Sequence, residues 1–195
     1  MAAAESVVVF GSSRVPPGSP VHADALALGR ALAARGVEVR CGGYGGVMEA
    51  VARGAREAGG RAVGCTLSWP GESRGPNPWL TEVVPCASLD ARVATLLRGT
   101  RAAIAMHGGV GTLNELLWTW TLLLHGVEAH RRLILLGPSY RELLEFLSTR
   151  FEVDERARAL VHAADSVPDA VALACGGPTG SDRVARESPG GGGPA

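Results

Sequence analysis

Residues 105–120 read AMHGGVGTLNELLWTW: a short apolar run ends in glycines and a helical pattern follows at once. Gly108, Gly109 and Gly111 would let backbone N–H groups approach an anion with no Cβ in the way. A helix starting there adds orphan N–H groups and a positive dipole end, and Thr112 adds a hydroxyl donor. Phosphate is the guest that suits this arrangement best; the alternative is a tight strand-to-helix turn with no ligand. Glu115 has two readings. Thr112-Leu113-Asn114-Glu115 has the spacing of a capping box, with Thr at the N-cap and Glu at the third helical position, which explains both residues without any ligand. A first-turn carboxylate is also aimed at whatever the glycines hold, and spacing leaves both readings open.

Two further turns have related chemistry. GSSR (11–14) follows an apolar run, and GGYGG (42–46) follows VEVRC, which reads as a second strand. The second lacks the G-x-G-x-x-G spacing with an acid about 20 residues on, so it is no dinucleotide fingerprint. Arg92 lies in a helical stretch and reads by itself as a solvated surface arginine, as do Arg14, Arg74 and Arg98. Trp118 and Trp120, two apart on a helix, face different directions. One reads as core and the other as a candidate for a subunit interface.

The elements that must carry these turns alternate. SVVVF (6–10), VEVRC (37–41), RAVGCTL (61–67), AAIAM (102–106) and RLILLG (132–137) read as strands. Helical patterns fill 21–35, 47–58, 89–99, 112–125 and 139–150, with short helices over 154–174. The segment 68–79 is too rich in Pro and Gly for regular structure. AAIAM is wholly apolar, as expected of a central parallel strand. This alternation predicts an α/β fold, a Rossmann-like doubly wound parallel sheet with helices on both faces, over residues 1–175. From Gly176 the chain reads GGPTGSDRVARESPGGGGPA, which cannot build a core and is expected to be a disordered tail over 176–195. The three turns all follow strands. They should share the sheet edge where ligands bind in such folds.

Composition narrows the chemistry. The chain of 195 residues carries a formal net charge of zero, so bulk electrostatics give no reason to expect a nucleic-acid partner. No apolar stretch reaches 18 residues, so no membrane span is expected, and MAAAESVVVF lacks the features of a secretory signal. All 19 basic residues are arginine. Without lysine there is no Schiff base for pyridoxal phosphate and no Walker A lysine. Cys41, Cys65, Cys86 and Cys175 are dispersed and read as small hydrophobes in a reduced, cytoplasmic compartment. Neither they nor the scattered histidines have metal-ligand spacing, so no metal and no cofactor is expected.

Taken together, FGSS, GGYGGVMEA and GGVGTLNE resemble the LOG ("Lonely Guy") family, whose members are often mislabelled lysine decarboxylases. The family pattern is P-G-G-x-G-T-x-x-E with an arginine in an upstream helix. Here it reads His107-Gly108-Gly109-Val110-Gly111-Thr112-Leu113-Asn114-Glu115, and Arg92 falls at the position of the family's catalytic arginine. The resemblance spans residues 6 to 150. It implies a Rossmann-like fold, a homodimer or larger homo-oligomer, and hydrolysis of the N-glycosidic bond of a nucleoside 5′-monophosphate, AMP or a cytokinin ribotide, to free base and ribose 5-phosphate. Glu115 and Arg92 would be catalytic. Gly108, Gly109, Gly111 and Thr112 would hold the 5′-phosphate, and Ser12, Gly43 and Met48 would line the pocket.

The chain departs from the pattern at His107, where the family has proline, and at Glu49, where many members have glycine. Val93 follows Arg92 where lysine is common, and the segment 68–79 differs from that of cytokinin-type members. These departures mark a divergent branch and leave the preferred base open. Two other readings compete. One is a non-enzymatic carrier of a phosphorylated ligand such as the molybdenum cofactor, since the chain also resembles such carriers. The other is a nucleotide-sensing module.

Overall fold

The computed structural model describes residues 5–68, 75–127 and 131–176. Apart from Gly176, the tail expected to be disordered lies outside the described residues, as does Arg74. The chain begins with β1 (Ser6–Phe10), α1 (Pro20–Ala33), β2 (Glu38–Cys41), α2 (Val47–Glu57) and β3 (Ala62–Leu67). It continues through β4 (Glu82–Cys86), α3 (Leu89–Leu97), β5 (Ala102–Ala105), α4 (Val110–Leu124) and β6 (Arg132–Leu136). It closes with α5 (Ser139–Arg150), α6 (Glu155–Ala159), β7 (Val161–Ala164) and α7 (Val167–Cys175). The seven strands form one sheet in the order β4-β3-β2-β1-β5-β6-β7, and every pairing is parallel.

β1 is central because its residues are apolar on both faces. Val7 and Val9 pack with α1, α2 and α7, while Val8 and Phe10 pack with α3, α4 and α5. A strand buried on both sides cannot alternate apolar with polar. β5 beside it is fully buried in the same way. The sheet order runs outward in one direction from β1 through β2 and in the other through β5, so a crevice opens between β1 and β5 at the strands' carboxyl ends.

Two strands escape the sequence reading. β4 follows the Pro/Gly-rich segment, contains Pro85, and has mostly exposed residues. β7 lies inside 154–174, where only helices are expected, and is four residues long. Both are edge strands, which one neighbour alone orders, so neither needs the apolar run that betrays a central strand. Trp120 is buried and its indole N–H donates to the Ala157 carbonyl at 2.9 Å, whereas Trp118 is 43% exposed. Cys41, Cys65 and Cys86 are buried thiols, and burial pushes Cys41 up to about 11 and Cys65 up to about 12. Both therefore stay protonated and unreactive. Among the described residues no helix is long and apolar enough to cross a membrane.

Candidate functional site

The loops leaving β1, β2 and β5 meet at the carboxyl edge, as their order in the chain predicts. Ser12 ties them together: its N–H donates to the His107 carbonyl at 3.0 Å, and its own carbonyl accepts from the Val47 N–H at 2.9 Å. Behind them, the buried Tyr140 hydroxyl donates to the Met106 carbonyl at 2.7 Å. The three turns are thus one backbone assembly.

The helix after the β5 turn starts earlier than the capping box requires. Gly109 is the N-cap, with no side-chain cap, and Val110 is the first helical residue. Thr112 is therefore the third helical position, and Glu115 lies in the second turn. The capping-box reading is overturned, and neither side chain serves the helix start in that way. Thr112 is buried with its side chain folded over Gly108, where a Cβ would lie 2.1 Å from its hydroxyl oxygen. The N–H groups of Val110, Gly111 and Thr112 are the orphan donors of the first turn. A Cβ on Gly109 or Gly111 would meet nothing within 4 Å. These two glycines leave room beside the backbone donors, and no acidic side chain stands in that first turn.

Glu115 instead meets Arg92. The Arg92 Nη1 donates to the Glu115 Oε1 at 3.2 Å, and the two side chains are 10% and 12% exposed. Arg92 is no surface arginine, and three groups fix its guanidinium. Its Nε donates to the Cys65 carbonyl at 2.7 Å, its Cζ lies 5.8 Å from the Tyr44 ring centroid, and its Nη2 occupies the space a Cβ on Gly42 would need, at 1.9 Å. Burial pushes the Glu115 carboxyl up to about 7, and the Arg92 charge and hydrogen bond pull against that rise. A carboxyl so placed is divided between its two protonation states near neutral pH, which suits a group that exchanges a proton during a reaction.

These residues line a cleft of about 250 Å3. Of the residues the sequence singles out, Ser12, Met48, Arg92, Gly109, Gly111, Thr112 and Glu115 line it. Gly43 and Gly108 do not. Gly43 is buried with positive φ, its carbonyl held by the Asn77 N–H at 2.8 Å, and Gly108 is covered by Thr112. The cleft also includes Tyr44, Leu67 and Leu89, which sequence reasoning misses. Tyr44 carried a signal, a large aromatic among glycines. Its hydroxyl accepts from the Leu67 N–H at 2.8 Å, and the Asn77 amide donates to its carbonyl at 3.0 Å.

The β2 turn is built differently from the β5 turn. Glu49 stands in the first turn of α2, where its carboxylate already occupies the positive end of that helix. A larger groove, about 370 Å3, lies toward the amino ends of β2, β3 and β4, and is lined by Glu38, Arg40, Arg61 and Glu82 among others. Arg40 and Arg61 there are already paired with Glu38, at 3.0 Å and 3.1 Å, and none of the glycine turns opens onto it.

The chain belongs to the SLOG cluster4 family, whose model matches residues 4–171. It is 34% identical over 174 residues to a protein of Oryza sativa subsp. japonica named "Probable cytokinin riboside 5'-monophosphate phosphoribohydrolase", covering 84% of this chain and 68% of that one. Among solved structures it resembles the X-ray structure of TM1055, at 32% identity and a TM-score of 0.70, covering 87% of this chain and 97% of that one. It also resembles the molybdenum cofactor binding protein of Rippkaea orientalis, at 21% identity and a TM-score of 0.70, covering 89% and 96%. At that identity the second likeness shows the fold alone.

Proposed function

We propose that this chain hydrolyses the N-glycosidic bond of a nucleoside 5′-monophosphate, AMP-like or a cytokinin ribotide, giving free base and ribose 5-phosphate. The observation that carries the reading is the buried Arg92–Glu115 pair placed beside open backbone donors in one cleft. The 5′-phosphate sits over Gly109, Gly111 and Thr112, where orphan N–H groups and the α4 dipole favour an anion. This orients the ribose toward the pair.

In the reaction the C1′–N bond breaks and its electron pair leaves on the base nitrogen. The ribose gains oxocarbenium-like positive charge. The Glu115 carboxylate stabilises that charge and takes the proton of the water that adds to C1′; that proton then passes to the departing base nitrogen, which restores the carboxylate. Arg92 holds Glu115 in place and donates to the ribose or to the departing base. None of these steps uses lysine.

The reading includes a homodimer or larger assembly. Val110, Leu113 and Leu117 recur at helical spacing on α4 and, with Trp118 and with Leu89 at the start of α3, leave an exposed apolar strip. Val110 and Leu89 also line the cleft, so a second copy seated on the strip would cover its mouth. Light scattering on the purified protein, with Leu117→Glu beside it, tests this: the parent is expected to be oligomeric and the variant monomeric.

The test of activity is to incubate the protein with a panel of nucleoside 5′-monophosphates and detect base and ribose 5-phosphate by mass spectrometry. Products from the parent that vanish in Glu115→Gln and Arg92→Ala support the hydrolase. A folded parent that binds nucleotide and releases nothing would replace it with the carrier reading, in which the open glycines act alone.

A further inference from the structure

Three charged side chains line the cleft: Arg14, Arg92 and Glu115. Arg92 and Glu115 are committed to each other, and Arg92 is committed further to the Cys65 carbonyl. Arg14 is different. Its backbone is anchored, since its N–H donates to the Ser12 Oγ at 3.1 Å, and Ser12 is itself bonded to the β5 and β2 turns. Its side chain is exposed, and among the described residues it forms no ion pair. The root of this arginine is thus fixed to the turn assembly while its charge is unspent.

A phosphate monoester carries nearly two negative charges at neutral pH. Partial charges at a helix start supply about half an elementary charge, and Glu115, once ionised, opposes the guest. The cleft therefore needs one more cation near the phosphate than the Arg92–Glu115 pair provides. We propose that Arg14 is that cation: it closes on the phosphate from the β1 loop, opposite the backbone donors of α4, and makes the cleft selective for the phosphorylated form of its ligand. The proposal rests on the phosphate placement above and goes beyond it by assigning a specificity-determining side chain. By sequence alone Arg14 reads as a solvated surface arginine.

The experiment is calorimetric titration of the full chain with ribose 5-phosphate and, separately, with ribose, for the parent, Arg14→Gln and Arg14→Lys. The exposed position means all three should melt at similar temperatures, and thermal denaturation checks that. The parent is expected to bind ribose 5-phosphate with an affinity that falls with salt. Arg14→Gln should weaken it about tenfold or more and flatten the salt dependence, and Arg14→Lys should recover part of the loss. Ribose binding should not distinguish the three. Arg14→Gln binding within twofold of the parent overturns the proposal, as does a parent that shows no ribose 5-phosphate binding. Nucleotide hydrolysis measured on the same samples separates the two readings. Products formed with no Arg14 dependence leave the hydrolase standing without this residue. Arg14-dependent binding with no products keeps Arg14 and removes the hydrolase.

Discussion

The turns at 42–46 and 107–112 are alike in sequence: both are glycine-rich and both lead from a strand into a helix. Their surroundings are opposite. In the first turn Gly42, Gly43 and Gly46 are consumed by packing. Gly46 has φ of 66°, and a Cβ there would lie 2.3 Å from the Ser12 carbonyl oxygen; Gly42 leaves room for the Arg92 guanidinium. Its helix starts with Glu49 already at the positive end. In the second turn a Cβ on Gly109 or Gly111 would meet nothing within 4 Å, and no acid stands in the first helical turn. One turn builds the site and the other receives the ligand. Glycine content alone cannot distinguish them; what a Cβ would hit can.

The largest expected effect sharpens the receiving side. Glu115→Gln should cut hydrolysis by about a thousandfold, within the usual range for loss of a general base, while the melting temperature at neutral pH does not fall. Gly46→Ala should do the reverse. The strained φ and the backbone clash should cost about 3 kcal/mol of stability, read by denaturant unfolding, and any loss of activity follows the loss of fold.

A pH series gives the next effect. The Glu115 carboxyl is raised from 4.5 to about 7, so the folded chain holds this proton more tightly than the unfolded one. Its contribution is complete below pH 4.5 and is lost as pH rises through about 7, by at most roughly 3 kcal/mol. The parent should therefore lose stability across that window relative to Glu115→Gln, while kcat/KM rises with the appearance of the carboxylate. Equal slopes for the two proteins would contradict the buried placement of this group. The smallest effect is Gly111→Ala. Inside a helix and facing open space, it should leave stability unchanged or raise it by about 0.5–1 kcal/mol, yet weaken ribose 5-phosphate binding several-fold in the same titration.

Much of this arrangement was legible in the sequence. Four of the five inner strands are marked by apolar runs, because burial on both faces leaves little choice of residue, whereas β2 alternates, with Glu38 and Arg40 on the face that lines the larger groove. The order of strands and turns is enough to place the three loops on one edge. β4 and β7 are not legible, since edge strands draw their order from a neighbour rather than from their own pattern. The start of α4 is misplaced for a local reason: Thr112 and Glu115 satisfy the capping-box spacing, but the helix begins at Val110, and Glu115 turns to a partner 23 residues away in sequence. No local pattern reports such a partner. Arg92 shows the same limit. By itself it reads as solvated, and only the family resemblance pointed to it, because its burial depends on the Cys65 carbonyl, the Tyr44 ring and the missing Cβ of Gly42.

The most direct test of the difference between the two turns is to follow backbone amide resonances of the isotopically labelled protein while ribose 5-phosphate is added. The account predicts large shifts for Val110, Gly111 and Thr112 and little change at Gly43, Gly45 and Gly46. Shifts confined to the 42–46 turn, with α4 unmoved, would contradict it.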